Sequence, residues 1–175
     1  MKPLRLKMQA FGSYGKETTI DFEKVNQNLF LITGDTGAGK TTIFDAIVFA
    51  LYGEASSSLN KKEGVVLQSQ YVDFDSEPYV ELVFSEDRDE KREIYTVRRV
   101  PRHLKTITRG ANKGKPKENT GSVSLIMPDG LEYPSKEADR KLQETVGLTK
   151  SQFMQVAMIA PVSYTHLTLP TNSLV

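Results

Sequence analysis

Residues 34–41 read Gly-Asp-Thr-Gly-Ala-Gly-Lys-Thr, which fits the pattern G-x-x-x-x-G-K-[ST]. Glycines at Gly34, Gly37 and Gly39 let a backbone wrap tightly enough for its N–H groups, unblocked by side chains, to point at phosphate oxygens. At this spacing Lys40 supplies positive charge to the β and γ phosphates, a role in turnover as well as binding, and Thr41 offers a hydroxyl to Mg²⁺. A helix opening at Thr41 adds its N-terminal dipole. The expected cofactors are ATP and Mg²⁺. Gly34, Asp35, Thr36, Gly37, Ala38, Gly39, Lys40, Thr41 and Thr42 are the expected nucleotide contacts, and Thr41 is the expected metal ligand.

A guanine-specific site would carry Asn-Lys-x-Asp, and the nearest match, Asn60-Lys61-Lys62-Glu63, has Glu at the deciding position within a polar loop. Hydrolysis also needs a second carboxylate site, an Asp after four apolar residues, usually followed by a Glu. "VELVFSED" alternates instead of running apolar, and the Asp of "SLIMPDG" sits in a turn behind a proline. Both read as strand ends. The catalytic carboxylates are therefore expected to lie outside this chain.

A strand, the loop and a helix must arrive in that order to hold such a site. "NLFLIT", residues 28–33, is a short apolar run that suits a strand buried on both faces. After it Ile43, Ile47, Ala50 and Leu51 share a helical face, and Gly53 is placed to end the helix. Upstream, Leu4, Leu6 and Met8 alternate with Arg5, Lys7 and Gln9 as in a half-buried strand, "FGSYGKE" supplies turn residues, and Ile20 and Phe22 repeat the strand pattern. Residues 54–78 read as loop, with one short element near "VVLQSQY". Val80, Leu82 and Phe84, then the alternation of residues 94–100 around the "EDRDEKRE" turn, predict a hairpin. "SVSLIMPDG" predicts another strand and turn. Ser135 is the expected cap of a helix with Ala138, Leu142 and Val146 on one face and Gly147 at its end. Thr149 and Gln152 have capping-box spacing, with Leu148 and Phe153 as the staple, and that helix is expected to yield to an extended "VAMIA".

The chain has 175 residues, 38% hydrophobic and 26% charged, which suits one soluble domain with a core. No apolar run is long enough to span a bilayer, and "MKPLRLKMQAFGSYG" lacks a signal-peptide core, so a cytoplasmic location is expected. With no cysteine and only His103 and His166, any metal must be held by oxygen. The formal charge of +1 hides a local excess. From residue 98 to 117 there are eight Lys or Arg and no acid: Arg98, Arg99, Arg102, Lys105, Arg109, Lys113, Lys115 and Lys117. Read as a basic loop, this stretch suits sequence-independent contact with DNA phosphates, and equally a solvated loop; no aromatic residue interleaves it for base stacking. Arg98, Arg99, Arg102, Lys105 and Arg109 are the candidate DNA contacts.

"MKPLRLKMQAFGSYGKETTIDFEK", "LFLITGDTGAGKTTIFDAIVFALYGEAS" and "VGLTKSQFMQVAMIA" together resemble the N-terminal ATPase lobe of the SbcC family of SMC-like nuclease subunits, over residues 1–160. The resemblance implies an α/β P-loop NTPase of ABC-ATPase head type, present as its N-terminal lobe only. It implies a mixed sheet with an antiparallel hairpin region and flanking helices. It further implies a long coiled coil with a metal hook, a C-terminal lobe carrying the signature motif and carboxylates, two heads sandwiching ATP, and the SbcD nuclease bound near the heads. Double-stranded DNA is the implied substrate in repair and recombination, and ATP state is implied to gate the nuclease. Gly12, Ser13 and Tyr14 fall in the family's early turn near the nucleotide, a position that suits direct contact with ATP and equally an ordinary tight turn. A structural SMC or RecF-like clamp and, less favoured, a transporter subunit remain alternatives.

The family follows "MIA" with a glutamine, where this chain has Pro161. "VSYTHLTLPT" is what GTC TCT TAT ACA CAT CTG ACG CTG CCG ACG encodes, a string that resembles a transposon-end sequencing adaptor. Residues 161–175 are accordingly expected to be a non-native tail, with Pro161 standing for an interrupted Gln codon and Tyr164 and His166 given no function.

Overall fold

The computed structural model describes residues 1–24, 31–56, 67–88 and 90–157. Its strands and helices follow the order β1 (Lys2–Gln9), β2 (Thr18–Asp21), α1 (Lys40–Tyr52), β3 (Tyr79–Arg88), β4 (Lys91–Val100), β5 (His103–Thr106), β6 (Pro116–Asn119), β7 (Ser122–Ile126), β8 (Glu132–Pro134), α2 (Ser135–Val146) and α3 (Lys150–Ala157). Six strands form one sheet in the order β2-β1-β3-β4-β7-β8, and β5 and β6 form a separate two-stranded sheet. This is the α/β architecture expected of the lobe, and the strand pairs described are antiparallel. Among the described residues no helix is long and apolar enough to cross a membrane.

Strand alternation turns one face of the sheet into the core. Leu6, Leu82, Val97 and Leu125 lie directly opposite one another across four strands, and all four are fully buried. Phe84 stacks on Tyr95 in the neighbouring row, with ring centroids 5.3 Å apart. Phe49, Ala50 and Leu51 of α1, Ala138 and Leu142 of α2 and Phe153 of α3 close over this face in the same cluster. Burying side chains of this size is worth roughly 1.5–3 kcal/mol each. Packing also pushes the phenol of Tyr95 up to about 12, first through desolvation and then through its hydrogen bond to Glu93.

Glycines end two helices as expected. Gly53 and Gly147 take left-handed φ of 76° and 68° and donate to the carbonyls of Phe49 and Gln143. The capping box forms too: Gln152 N–H donates to Thr149 Oγ1 at 3.3 Å, and Thr149 N–H donates to Gln152 Oε1 at 2.9 Å.

Other expectations fail for local reasons. Ser135 does not cap α2; the cap position belongs to Pro134, because Tyr133 and Pro134 are used in pairing β8 with β7, and Ser135 begins the helix at φ 53°. Val156 and Ala157 are helical, not extended, since no Gly or Pro interrupts α3 there. The hairpin strands β3 and β4 run through most of "EDRDEKRE", with ladder pairs as far as Arg88 and Lys91. Leu31, Ile32 and Thr33, the described part of "NLFLIT", belong to no strand, and Leu31 is 87% exposed. Residues 28–30, Asn60 to Glu63, Met158 to Ala160 and the tail at 161–175 lie outside the described residues.

Candidate nucleotide site

The loop at residues 34–39 depends on its glycines. Gly34, Gly37 and Gly39 have φ of 152°, 88° and 86°, values that side chains disfavour by roughly 1–2 kcal/mol in the left-handed region. Ala38 N–H closes a turn onto the carbonyl of Asp35 at 3.1 Å. Gly39 then stands at the N-cap of α1 with no side chain to bond the first-turn N–H groups, and that turn holds no acidic residue. Helix N-termini normally receive a side-chain acceptor. Here those donors and the dipole are left to face an external anion.

Lys40 folds back along the loop and donates to the carbonyls of Gly34 and Asp35, both at 2.7 Å. Its charge is thus held beside the loop backbone. Thr41 lies exposed in the first turn. Thr42 instead is buried, with its hydroxyl 3.3 Å from that of Ser13, so its contribution to a ligand on the loop is confined to its backbone N–H. A β-carbon built on Gly37 would meet nothing within 4 Å, which leaves that side of the loop open. Backbone amides, an ammonium and an exposed hydroxyl make a donor set suited to a polyphosphate with a hard, oxygen-seeking cation.

The early turn braces this loop from behind. Phe11 and Tyr14 exchange backbone hydrogen bonds at 2.9 Å, which projects Gly12 and Ser13 towards α1. A side chain on Gly12 would come within 2.7 Å of Thr42 Cγ2, and one on Gly39 within 3.1 Å of the Tyr14 ring and 3.2 Å of Ser13 Cβ. Gly12, Ser13 and Tyr14 are therefore packed on the loop and on α1. Burial raises the Tyr14 phenol pKa and favours its neutral form.

The acidic strand ends have other partners. Glu81 pairs with Arg98 and Glu86 with the N-terminal ammonium. Asp129 accepts from Leu131 N–H within its own turn. Asp45, buried in α1, receives the N–H of Ser56 at 3.0 Å and also the Ser56 hydroxyl. No group of three or more His, Asp or Glu placed to hold a metal occurs among the described residues.

The basic stretch is not one loop. Arg98 and Arg99 lie near the end of β4 and face opposite sides of the sheet. Arg98 stacks over the Tyr79 ring at 3.7 Å and pairs with Glu81. Arg99 lies in the core row between Val80 and Val123, only 7% exposed. It donates to the Ala50 carbonyl at 3.1 Å and to Asp139 at 2.6 Å. Arg99 is thus a structural residue that joins α1 to α2, and its place among the DNA contacts is withdrawn. Its side of the strand was readable in the sequence, because it shares the parity of Tyr95 and Val97. Arg102 pairs with Glu118. The remainder forms the β5–β6 hairpin, where no ion pair among the described residues engages Lys105, Arg109, Lys113 or Lys117.

The family described as AAA domain matches residues 5–163. The C subunit of nuclease SbcCD from Vibrio cholerae is 34% identical over 177 residues, covering 99% of this chain and 17% of that protein. The protein of the same name from Staphylococcus saprophyticus is 31% identical over 165 residues, covering 91% of this chain and 15% of the relative. That of Staphylococcus epidermidis is 58% identical over 74 residues, 42% of this chain and 7% of the relative. The chain thus spans less than a fifth of the length of these relatives. The Vibrio alignment also runs into residues 161–175, past the point where the family match ends.

Proposed function

We propose a function that follows from membership: the chain belongs to the AAA-domain family and is an SbcC-like ATPase domain. Within the intact protein it is the ATP-binding N-terminal lobe of a nuclease subunit that acts on double-stranded DNA in repair and recombination. The observation that carries this reading is the phosphate loop running into the uncapped N-terminus of α1. Residues 34–42 hold the triphosphate through backbone N–H groups, Lys40 balances the β and γ charges, and the Thr41 hydroxyl ligates Mg²⁺. Bound Mg²⁺ supplies charge neutralisation between the phosphates. Ser13 and Tyr14 keep the loop in place from the opposite side.

Turnover requires water-positioning groups, which we assign to the C-terminal lobe of the same protein and to a second head. ATP state then governs access of DNA to the partner SbcD nuclease, and the assembly works in the cytoplasm. Duplex phosphates run along the hairpin, with Lys105 and Arg109 as contacts and Lys113 and Lys117 beside them; Arg102 and Arg98 contribute only by leaving their carboxylate partners. Residues 161–175 we assign to adaptor sequence, which genomic sequencing across codon 161 tests: a glutamine codon supports the assignment and a proline codon ends it.

The functional test compares residues 1–160 alone with the same segment joined by a short linker to the C-terminal lobe. Phosphate release that depends on Lys40 is expected only from the joined form. Equal Lys40-dependent release by the lone lobe would place the catalytic carboxylates in this chain, with "VELVFSED" the first segment to reconsider.

A further inference from the structure

The segment Leu67-Gln68-Ser69 is nearly inaccessible to solvent, at 2%, 7% and 4% exposure, although it belongs to none of the strands β1–β8 or helices α1–α3. Its backbone is stitched to the early turn. Gly12 N–H donates to the Leu67 carbonyl at 2.8 Å, Ser69 N–H donates to the Ala10 carbonyl at 2.7 Å, and Phe11 and Gln68 form an antiparallel bridge. The Gln68 side chain reaches the other way. Its amide N–H donates to the Leu104 carbonyl at 3.0 Å, and its amide oxygen accepts the Leu104 N–H at 2.9 Å. One side chain thus makes the pair of bonds that a neighbouring strand would make to β5.

These bonds place Gln68 between two parts that the main sheet does not join directly. On one side, the turn holding Gly12, Ser13 and Tyr14 packs against Gly39 and Thr42 of the phosphate loop and α1. On the other, the β5–β6 hairpin forms a sheet of its own and carries the unpaired cations. The hairpin is otherwise held at its base, where buried His103 Nδ1 lies 3.0 Å from the Pro101 carbonyl and a side chain on Gly121 would come within 2.6 Å of the Val100 carbonyl.

We propose that Gln68 is a positioning residue that locks the basic hairpin to the turn braced on the phosphate loop, so that nucleotide occupancy changes the order and placement of the hairpin. The inference rests on the reading of residues 34–42 as a nucleotide site. Coupling of this kind needs differential contacts at both ends of a contiguous link. Loop closure on a ligand shifts the Gly39–Tyr14 contact at one end, and the two Leu104 bonds deliver that shift at the other.

The test is amide hydrogen exchange on the intact protein, with and without Mg²⁺ and a non-hydrolysable ATP analogue. In the wild type the analogue slows exchange at residues 34–42 and also at residues 103–106, the latter by about fivefold, the low end of ordinary coupling. Gln68→Met keeps the length of the side chain and loses both bonds; it retains protection at 34–42 and nucleotide affinity while the hairpin response disappears. Gln68→Glu keeps only the acceptor for Leu104 N–H and shows a reduced response; it substitutes for the Met variant should that one lose protection in β1, β3 and β4. A full hairpin response in either variant overturns the proposal, as does a wild-type hairpin that stays unresponsive while residues 34–42 are protected. No protection at 34–42 in the wild type removes the nucleotide reading itself, and the coupling with it.

Discussion

Replacing Gly39 by Ala should damage the domain more than replacing Gly37, although the two glycines have almost the same backbone conformation, at φ 86° and 88°. Each substitution forces an L side chain into the left-handed region at a cost of roughly 1–2 kcal/mol. That cost cancels in the comparison, which leaves the surroundings. A β-carbon on Gly37 meets nothing within 4 Å, whereas one on Gly39 stands 3.1 Å from the Tyr14 ring and 3.2 Å from Ser13 Cβ. Overpacking of this kind costs roughly 1–3 kcal/mol, so Gly39→Ala should be less stable than Gly37→Ala by about that margin. Denaturant titration followed by far-ultraviolet circular dichroism measures the difference. Tyr14→Ala removes the obstructing ring, and in a double-mutant cycle it should couple to Gly39→Ala by roughly 0.5–3 kcal/mol while adding independently to Gly37→Ala. The pattern reverses for ligand: Gly37→Ala points its methyl into the open side of the loop and should lose nucleotide affinity with the smaller loss of stability. Equal destabilisation at the two glycines, or no coupling between residues 14 and 39, would refute the claim that the early turn braces the loop.

Arg99→Met should destabilise the domain by about 1.5–3 kcal/mol, the worth of hydrogen bonds made by a charged group, and leave DNA affinity unchanged; denaturation and filter binding check the two halves. Charge reversal at Lys105 and Arg109 should weaken binding to unrelated duplexes equally and flatten the slope of log affinity against log salt by about 0.9 for each phosphate no longer neutralised. Tyr79→Phe should raise the pKa of Glu17, whose carboxyl is held low first by the Tyr79 hydroxyl and then by Lys7; a carbon-detected titration reads it. Because the folded value lies below the ordinary one, the stabilisation is present above the ordinary glutamate range and is lost as pH falls through the depressed value, so the wild type gains acid sensitivity in that window that the Phe variant lacks. At the alkaline end Tyr52, Tyr79 and Tyr95 are each pushed up to about 12, chiefly by burial. Stability they confer is intact below the ordinary tyrosine value near 10 and declines as pH rises towards 12, which tyrosinate absorbance follows.

Where period and punctuation agree, the residues announce their structure. The alternation of Leu4, Leu6 and Met8 places them in the core, Gly53 and Gly147 end helices, and Thr149 with Gln152 forms a reciprocal cap, because each is a local interaction written in a few neighbouring positions. The loop pattern places Lys40 and Thr41 at a helix N-terminus for the same reason. Charge is less legible. Arg98 and Arg99 are adjacent and chemically identical, yet strand parity sends one to a tyrosine face and the other into the core. The part played by Gln68 depends on Leu104, far away in sequence, and no local signal marks it. Leu31 sits in an apolar run that reads as a buried strand, yet it is exposed and in no strand, because hydrophobicity alone does not supply a pairing partner.

The most direct measurement is calorimetric titration of the intact protein with MgATP, wild type against Lys40→Ala. The phosphate-loop assignment predicts saturable binding that weakens by about tenfold to a hundredfold when the ammonium is removed, as expected for loss of hydrogen bonds from a charged donor worth roughly 1.5–3 kcal/mol. Binding of equal strength in the two proteins, or none in the wild type, would contradict it.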